Sequence, residues 1–483
     1  MTTTTELRRR ALPGVTPSAP EKVGDAPRWT REWTYFVLVV AAWCFTPLLR
    51  RLIDLHNGAY NPVQITSLIP FVMTIPLLLV ALRRERLALL TPAFRVFMWV
   101  WIGTFTYGVL IAAANGNLFG AIFAAIQYVV PMIIGIWIAG QPRMDNASIT
   151  RRLMATILPF GTVVGIYGLA QFVAPPPWDV LWVLGGQFAA MGAPIPFQMR
   201  VFSTLNSAGP AADFFTQAIL LSMPLLRFGK AWVWPFITVL GAALLLTLVR
   251  EAWIALLLGV VVYIVFSPRR VVTFPIMLAF AVIFSVLVAF LPAFLGAGQD
   301  SDVVSARIAT IADVNHDESA IERSQEIQDS IQEALSDPIG SGLGTIGSAA
   351  MISSNLSLSH GTVLDSGYLA RLVELGWLGF VGYLFVAVGG FATILWSIFS
   401  RGSNATQSAE NKVLLATAAA MCAALVWADA AGDAHLGVEG VFFWIAMGIG
   451  LRSNRIQSIS DEGADVKDAS LPKFRNLWVA ATR

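Results

Sequence analysis

Apolar residues in this chain gather into twelve stretches. Most are long enough, at roughly 20 residues, to cross about 30 Å of hydrocarbon, and polar residues are confined largely to the connections. The first six run Tyr35–Leu49, Ile65–Leu82, Val96–Ala114, Leu118–Ala139, Leu153–Ala174 and Ala211–Leu226. The others run Trp232–Val249, Ala252–Phe266, Val271–Leu295, Leu372–Phe399, Val413–Trp427 and Leu436–Leu451. The pattern predicts an all-α integral membrane protein of about 12 transmembrane helices, because helices satisfy their backbone polar groups internally in lipid. Lys and Arg in short loops mark the cytoplasmic side. With the N-terminus inside, Arg83, Arg84 and Arg86 lie on that side, as do Arg143, Arg151, Arg152, Arg227 and Lys230. Arg269, Arg270, Arg401, Lys412, Arg452 and Arg455 follow, while Arg50 and Arg51 in the first outer loop are the local exception.

This topology divides the chain. Residues 1–33 read as a disordered cytoplasmic tail, and 34–295 carry spans 1–9 with an outer loop at 175–210. Residues 296–367 form a long outer loop, 368–452 carry spans 10–12, and 453–483 form a cytoplasmic C-terminal tail. All four histidines, His56, His316, His360 and His435, fall in outer loops, as chance alone would often place polar residues.

Composition confirms the class. Charged residues make up 13% of the chain, against about 25% in soluble domains, and mean hydropathy is +0.68. The net charge of +2 identifies no partner, and nothing in the chain points to nucleic acid. Cys44 and Cys422 both lie in apolar stretches, which argues against a disulfide framework or a zinc site. The N-terminal residues lack the short apolar core of a cleavable signal peptide. No internal repeat of the kind that marks many transporters is present.

Setting the cytoplasmic cations aside leaves Arg200, Arg250, Arg307 and Arg323 on the outer face, with Arg371 near the tenth span. Arg250 sits in LLLTLVREAWIALLL, where a guanidinium is costly unless it is paired or solvated. It either snorkels to headgroups or a carboxylate, or forms an anion site, because its planar fork of donors matches phosphate oxygens. In the long loop, Ser319 and Glu322 have capping-box spacing. Ile327, Ile331 and Leu335 then predict a short amphipathic helix between spans 9 and 10, ended by Asp337-Pro338. Its apolar stripe suits the membrane surface or the tops of the spans. In the following DPIGSGLGTIG, Gly340, Gly342 and Gly344 permit close backbone approach to a ligand, as any flexible turn would.

The run ERSQEIQDSIQEALSDPIGSGLGTIG, followed after about twenty residues by LDSGYLARLVELGWLGFVGYL, resembles the O-antigen ligase and O-antigen polymerase superfamily. RVFSTLNSAGPAADFF, with Arg200 and Asn206, is similar to the family's Arg…Asn segment entering a span. TLVREAWIA, with Arg250, is similar to another of its Arg-bearing segments, with Val249 where serine is usual.

The resemblance implies a metal-independent glycosyltransferase of the bacterial cytoplasmic membrane, with no cofactor. Its donor is a glycan on a polyprenyl diphosphate, and its acceptor is a glycan or glycolipid on the outer face. Contacts with membrane lipid and with other polysaccharide-assembly proteins go with that role. It also implies that Arg250 and Arg323, with Arg200 and Arg307 in second rank, hold the donor diphosphate, supported by Asn206, Gly342 and Gly344. Arginines that stabilise the leaving group's growing charge replace a metal, and the acceptor hydroxyl needs a base. Many family members carry His-Asn before "YL". Here Asp365-Ser366 stands there and His360 lies five residues upstream. The catalytic base is therefore Asp365 or His360, unless activation is mainly by positioning; Asp365 also suits the N-cap of the tenth span. The competing readings are a twelve-span transporter, which calls for mid-span charges, and a non-catalytic membrane component.

Overall fold

The computed structural model describes residues 30–62, 64–142, 144, 146–227, 231–268, 327–328, 330–332, 334–352, 364, 366–400 and 409–452. The stretch expected at Val271–Leu295, both tails and most of the long outer loop lie outside them. The other eleven apolar stretches coincide with helical segments, and no strand occurs among the described residues.

The first helices are α1 (Arg31–Asn57), α2 (Ile69–Ala81), the short α3 (Arg84–Leu87), α4 (Pro92–Ala114), α5 (Leu118–Ala139) and α6 (Asn146–Val173). After α7 (Pro177–Gly185) come α8 (Ala208–Arg227), α9 (Trp234–Leu246) and α10 (Arg250–Phe266). The last are α11 (Gly367–Ser400), α12 (Ala409–Ala428) and α13 (Gly437–Gly450). Among the described residues six helices are long and apolar enough to cross a membrane: α1, α4, α5, α6, α11 and α12. Shorter apolar helices lie at Ile65–Ala81, Trp234–Leu246 and Gly437–Gly450.

The centre of the bundle is α12, α13 and the second half of α5, almost wholly covered by their neighbours. In α12 the run ATAAAMCAAL presents small side chains that let α10 and α13 approach closely, the packing expected where lipid offers no hydrophobic drive. Alanines and buried aromatics then fill one continuous core.

The two ends of the bundle differ in chemistry. At one end Arg86 pairs with Glu32 at 2.8 Å, and Arg452 donates to the Gln141 carbonyl and, at 3.1 Å, to Asn146 Oδ1. The other end holds the close of α1, the turns before α2 and α5, and the starts of α8, α10, α11 and α13.

Arg50 and Arg51 belong to this second end, and their surroundings explain the exception they make to the charge rule. Both are buried inside protein. Arg51 forms an ion pair with Asp179 at 2.5 Å and donates to the Ser203 carbonyl at 2.7 Å. Arg50 donates to the carbonyls of Asn61 and Pro62 and lies over the Trp182 ring. Such arginines are internal struts and say little about which side a loop occupies.

Helix α11 breaks at Gly376 (φ 58°, ψ −171°), which frees the carbonyls of Val373 and Glu374. The DPIGSG segment supplies the missing partners: Ser341 N–H donates to Val373 O at 3.0 Å and Gly342 N–H to Glu374 O at 2.9 Å. In return, Trp377 N–H donates to Pro338 O at 3.1 Å. The segment then threads between α4 and α5, where Leu343 N–H reaches Gly108 O at 3.1 Å and Asn117 donates to Gly344 O at 3.1 Å. Gly342 and Gly344 both have positive φ. A Cβ on Gly342 would sit 2.6 Å from the Ala112 backbone, and one on Gly344 2.5 Å from Gly120 O. The close approach expected of these glycines is thus made to α4 and α5.

The described residues just before this segment are helical, as the sequence pattern predicts. Ile327, Ile331 and Leu335 are exposed, while Ser330 and Ala334 face inward.

Candidate functional site

The helices beginning at the second end leave a cavity of about 690 Å³ between α1, α5, α8, α10, α11 and α13. Each of α8, α10, α11 and α13 directs its N-terminus, and hence the positive end of its dipole, toward this region.

On one side stands Arg371, a turn into α11. It pairs with Glu374 at 2.7 Å and with Asp433 at 3.3 Å, and lies over the Tyr128 ring at 4.7 Å. Glu374 is fixed in turn by the N–H groups of Gly344 (2.9 Å) and Ile346 (3.1 Å), so the glycine-rich segment orients the carboxylate that orients the arginine. Asp433, in the connection between α12 and α13, also accepts the Tyr128 hydroxyl. Burial lifts its carboxyl above the usual range, and Arg371 works against that rise.

Behind this wall Asp429 accepts the Tyr383 hydroxyl at 2.8 Å and the Ala434 N–H at 3.1 Å, with His435 Nδ1 at 3.3 Å. His435, expected in an outer loop, occupies the α12–α13 connection, and its ring is wholly buried against Phe443.

Another part of the lining is acidic. Asp213 of α8, Glu251 of α10 and Glu439 of α13 all line the cavity. Glu251 and Glu439 lie in the first turns of their helices, where the dipole favours a negative charge.

Of the residues singled out in the sequence, Asn206 lines the cavity and its carbonyl accepts Trp182 Nε1–H at 3.1 Å. Arg250 opens α10, half-buried, between the lining residues Val249 and Glu251. Arg200 donates to Thr247 O at 2.9 Å, Leu248 O at 3.3 Å and Ala190 O at 3.0 Å. It thereby caps the carbonyls exposed where α9 gives way to α10, and these contacts bring Arg200 and Arg250 to the same break in the chain.

Leu364 lines the cavity immediately before Asp365 in sequence. Asp365, His360, Arg307 and Arg323 lie outside the described residues. Sequence reasoning missed Gln127, Asp213, Glu251, Glu439 and Asp433 as one group. The available signal was a carboxylate at or next to the start of an apolar stretch, repeated in three stretches far apart in the chain.

Asp179, in α7, braces the segment that carries Asn206. It accepts from Tyr167 at 2.8 Å and Gln171 at 2.6 Å, while Gln171 Oε1 accepts the N–H groups of Phe202 and Ser203. Burial raises the Asp179 carboxyl above its ordinary range and the Arg51 charge pulls it back.

Residues 235–384 match the family model described as O-Antigen ligase. No curated protein and no solved structure matches the chain. The matched segment runs from α9 into α11 and contributes Val249, Glu251, Arg371 and Glu374 to the cavity. The match lends no support to a transporter. This domain, set among six helices long and apolar enough to cross a membrane, supports placing the chain in the O-antigen ligase and polymerase superfamily, as an O-antigen ligase-like membrane glycosyltransferase of polysaccharide biosynthesis.

Proposed function

We propose that the protein transfers a glycan from a polyprenyl diphosphate to an acceptor glycan or lipid-linked sugar, at the outer face of the bacterial cytoplasmic membrane and without a metal. The cavity carries this reading. It lies at the end of the bundle away from the Arg86 and Arg452 clusters, and the family-matched segment builds part of its wall. Both tails are cytoplasmic in this reading, with about twelve spans between them.

In the reaction the acceptor hydroxyl attacks the anomeric carbon of the donor sugar. The bond to the diphosphate oxygen breaks, polyprenyl diphosphate departs with that electron pair, and the hydroxyl proton passes to a base. Arg250 and Arg323 neutralise the charge that grows on the diphosphate. Arg307 assists, and Arg200 holds the chain break from which α10 and Arg250 start. Asp365 or His360 takes the proton. Asn206 lines the acceptor space, and Gly342 and Gly344 seat the segment that fixes Glu374 and, through it, Arg371.

The test is transfer from a purified lipid-linked donor in liposomes. A charge-assisted bond to phosphate contributes roughly 1.5–3 kcal/mol, so Arg250→Ala and Arg323→Ala should each slow transfer about tenfold to a hundredfold. Arg250→Lys should also be impaired, since an ammonium lacks the bidentate fork. Asp365→Asn and His360→Ala separate the two bases. Near-normal transfer by both arginine-to-alanine variants would remove the diphosphate site.

A further inference from the structure

The acidic wall has no place in the transfer chemistry just described, and among the described residues its side chains find few partners. Asp213 and Glu251 form no ion pair and accept no side-chain hydrogen bond among the described residues, and Glu439 accepts only from its own backbone N–H. Glu439 is 5% exposed and Gln127, facing the same cavity from α5, is 8% exposed. The Gln127 amide, with two donors and an acceptor, likewise has no partner among the described residues.

Asp213 and Glu251 are half-buried; polar groups as deeply placed as Glu439 and Gln127 cost free energy until something supplies the missing bonds. Among the described residues no three such side chains converge to hold a metal ion. Three carboxylates repel a diphosphate, so that group is held by the arginines and not by these side chains. A ligand rich in hydroxyl donors fits instead. Carboxylates accept from neighbouring hydroxyls, the amide both donates and accepts, and Trp43 and Tyr128 add apolar surface to the same cavity.

We infer that Gln127, Asp213, Glu251 and Glu439 form a carbohydrate subsite that takes a neutral or amino sugar ring and rejects a sugar carrying a carboxylate. The inference rests on the glycosyltransferase reading and specifies the sugar that this end of the site accepts. The four residues come from α5, α8, α10 and α13, so only Glu251 lies within the family-matched segment.

The experiment uses the full chain in nanodiscs and three soluble probes: methyl glucoside, methyl glucuronide and inorganic pyrophosphate. Binding is read by saturation-transfer NMR. The wild type should bind the glucoside about tenfold or more tightly than the glucuronide, the worth of one charge-assisted bond. Gln127→Leu should weaken the glucoside by a similar factor. The combined Asp213→Asn, Glu251→Gln and Glu439→Gln variant should admit the glucuronide as well as the glucoside. Pyrophosphate binding that is retained in Gln127→Leu, and retained or strengthened in the neutralised variant, shows that the site is still assembled.

Equal binding of the two glycosides by the wild type overturns the subsite, as does an unchanged preference in the neutralised variant. Those results with pyrophosphate binding intact leave the glycosyltransferase reading standing. Failure of the wild type to bind pyrophosphate counts against that reading instead.

Discussion

Asp179→Ala would strip the partner from a guanidinium that has no exposure at all, since both side chains of the Arg51–Asp179 pair are 0% exposed. Arg51 would retain the Ser203 carbonyl at 2.7 Å and a long contact to Pro47 O at 3.4 Å, neither of which cancels its charge. Removing one partner of a buried ion pair costs about 3–5 kcal/mol, which is about a hundredfold to several thousandfold in an unfolding equilibrium. Arg51→Met should fall at the low end of that range, because Tyr167 and Gln171 still donate to Asp179. The double variant Arg51→Met with Asp179→Leu removes both charges and should recover most of the loss, since apolar replacement of a whole buried pair is often neutral or stabilising. The assay is unfolding of the purified protein by SDS in mixed micelles, followed by tryptophan fluorescence, with all four members of the cycle measured together. Single variants within about 1 kcal/mol of the wild type, or a double variant whose loss equals the sum of the singles, would refute the reasoning.

Two other outcomes follow from the proposed transfer chemistry. Transfer should survive EDTA, and a loss of turnover restored by magnesium or manganese would place a cation where arginines are proposed. Cysteines introduced one at a time between Ser301 and His360 should label from outside the cell, and those near Arg83 or Arg269 only after the membrane is opened. Both native cysteines are buried, so background labelling should be low.

Hydropathy placed the helices well because lipid-crossing segments must be apolar along their whole length. The stretch Leu118–Ala139 has the same limits in sequence and in structure. The apolar stretch Leu372–Phe399 begins five residues inside α11, because the charged Arg371 marks its edge, with Glu374 just within it. Their charges are balanced inside the bundle by each other, by Asp433 and by backbone N–H groups. Arg50 and Arg51 stood out as an exception to the charge rule for the same reason. A charge that finds its partner 128 residues away, as Arg51 does in Asp179, leaves no local signature. Arg250 stood out because its surroundings in the chain are apolar. The acidic wall did not, since Asp213, Glu251 and Glu439 each look like an ordinary polar residue near a span end until α8, α10 and α13 are brought together.

The interlock between the broken α11 and the glycine segment also has a consequence in time. Asn115 and Asn117, beside the slot between α4 and α5, bond to residues 226 and 227 positions further along the chain. At translation rates of about 5–20 residues per second, the ribosome needs roughly 10–50 s to deliver the occupant after the slot has been made. Once α4 and α5 closed on each other, Leu343 could not be inserted edgewise, because its backbone bonds directly to Gly108 O within α4. During biogenesis the slot at this end of the pair must therefore stay open for that interval or reopen when the segment arrives, and mutations that seal it early would act on yield rather than on turnover.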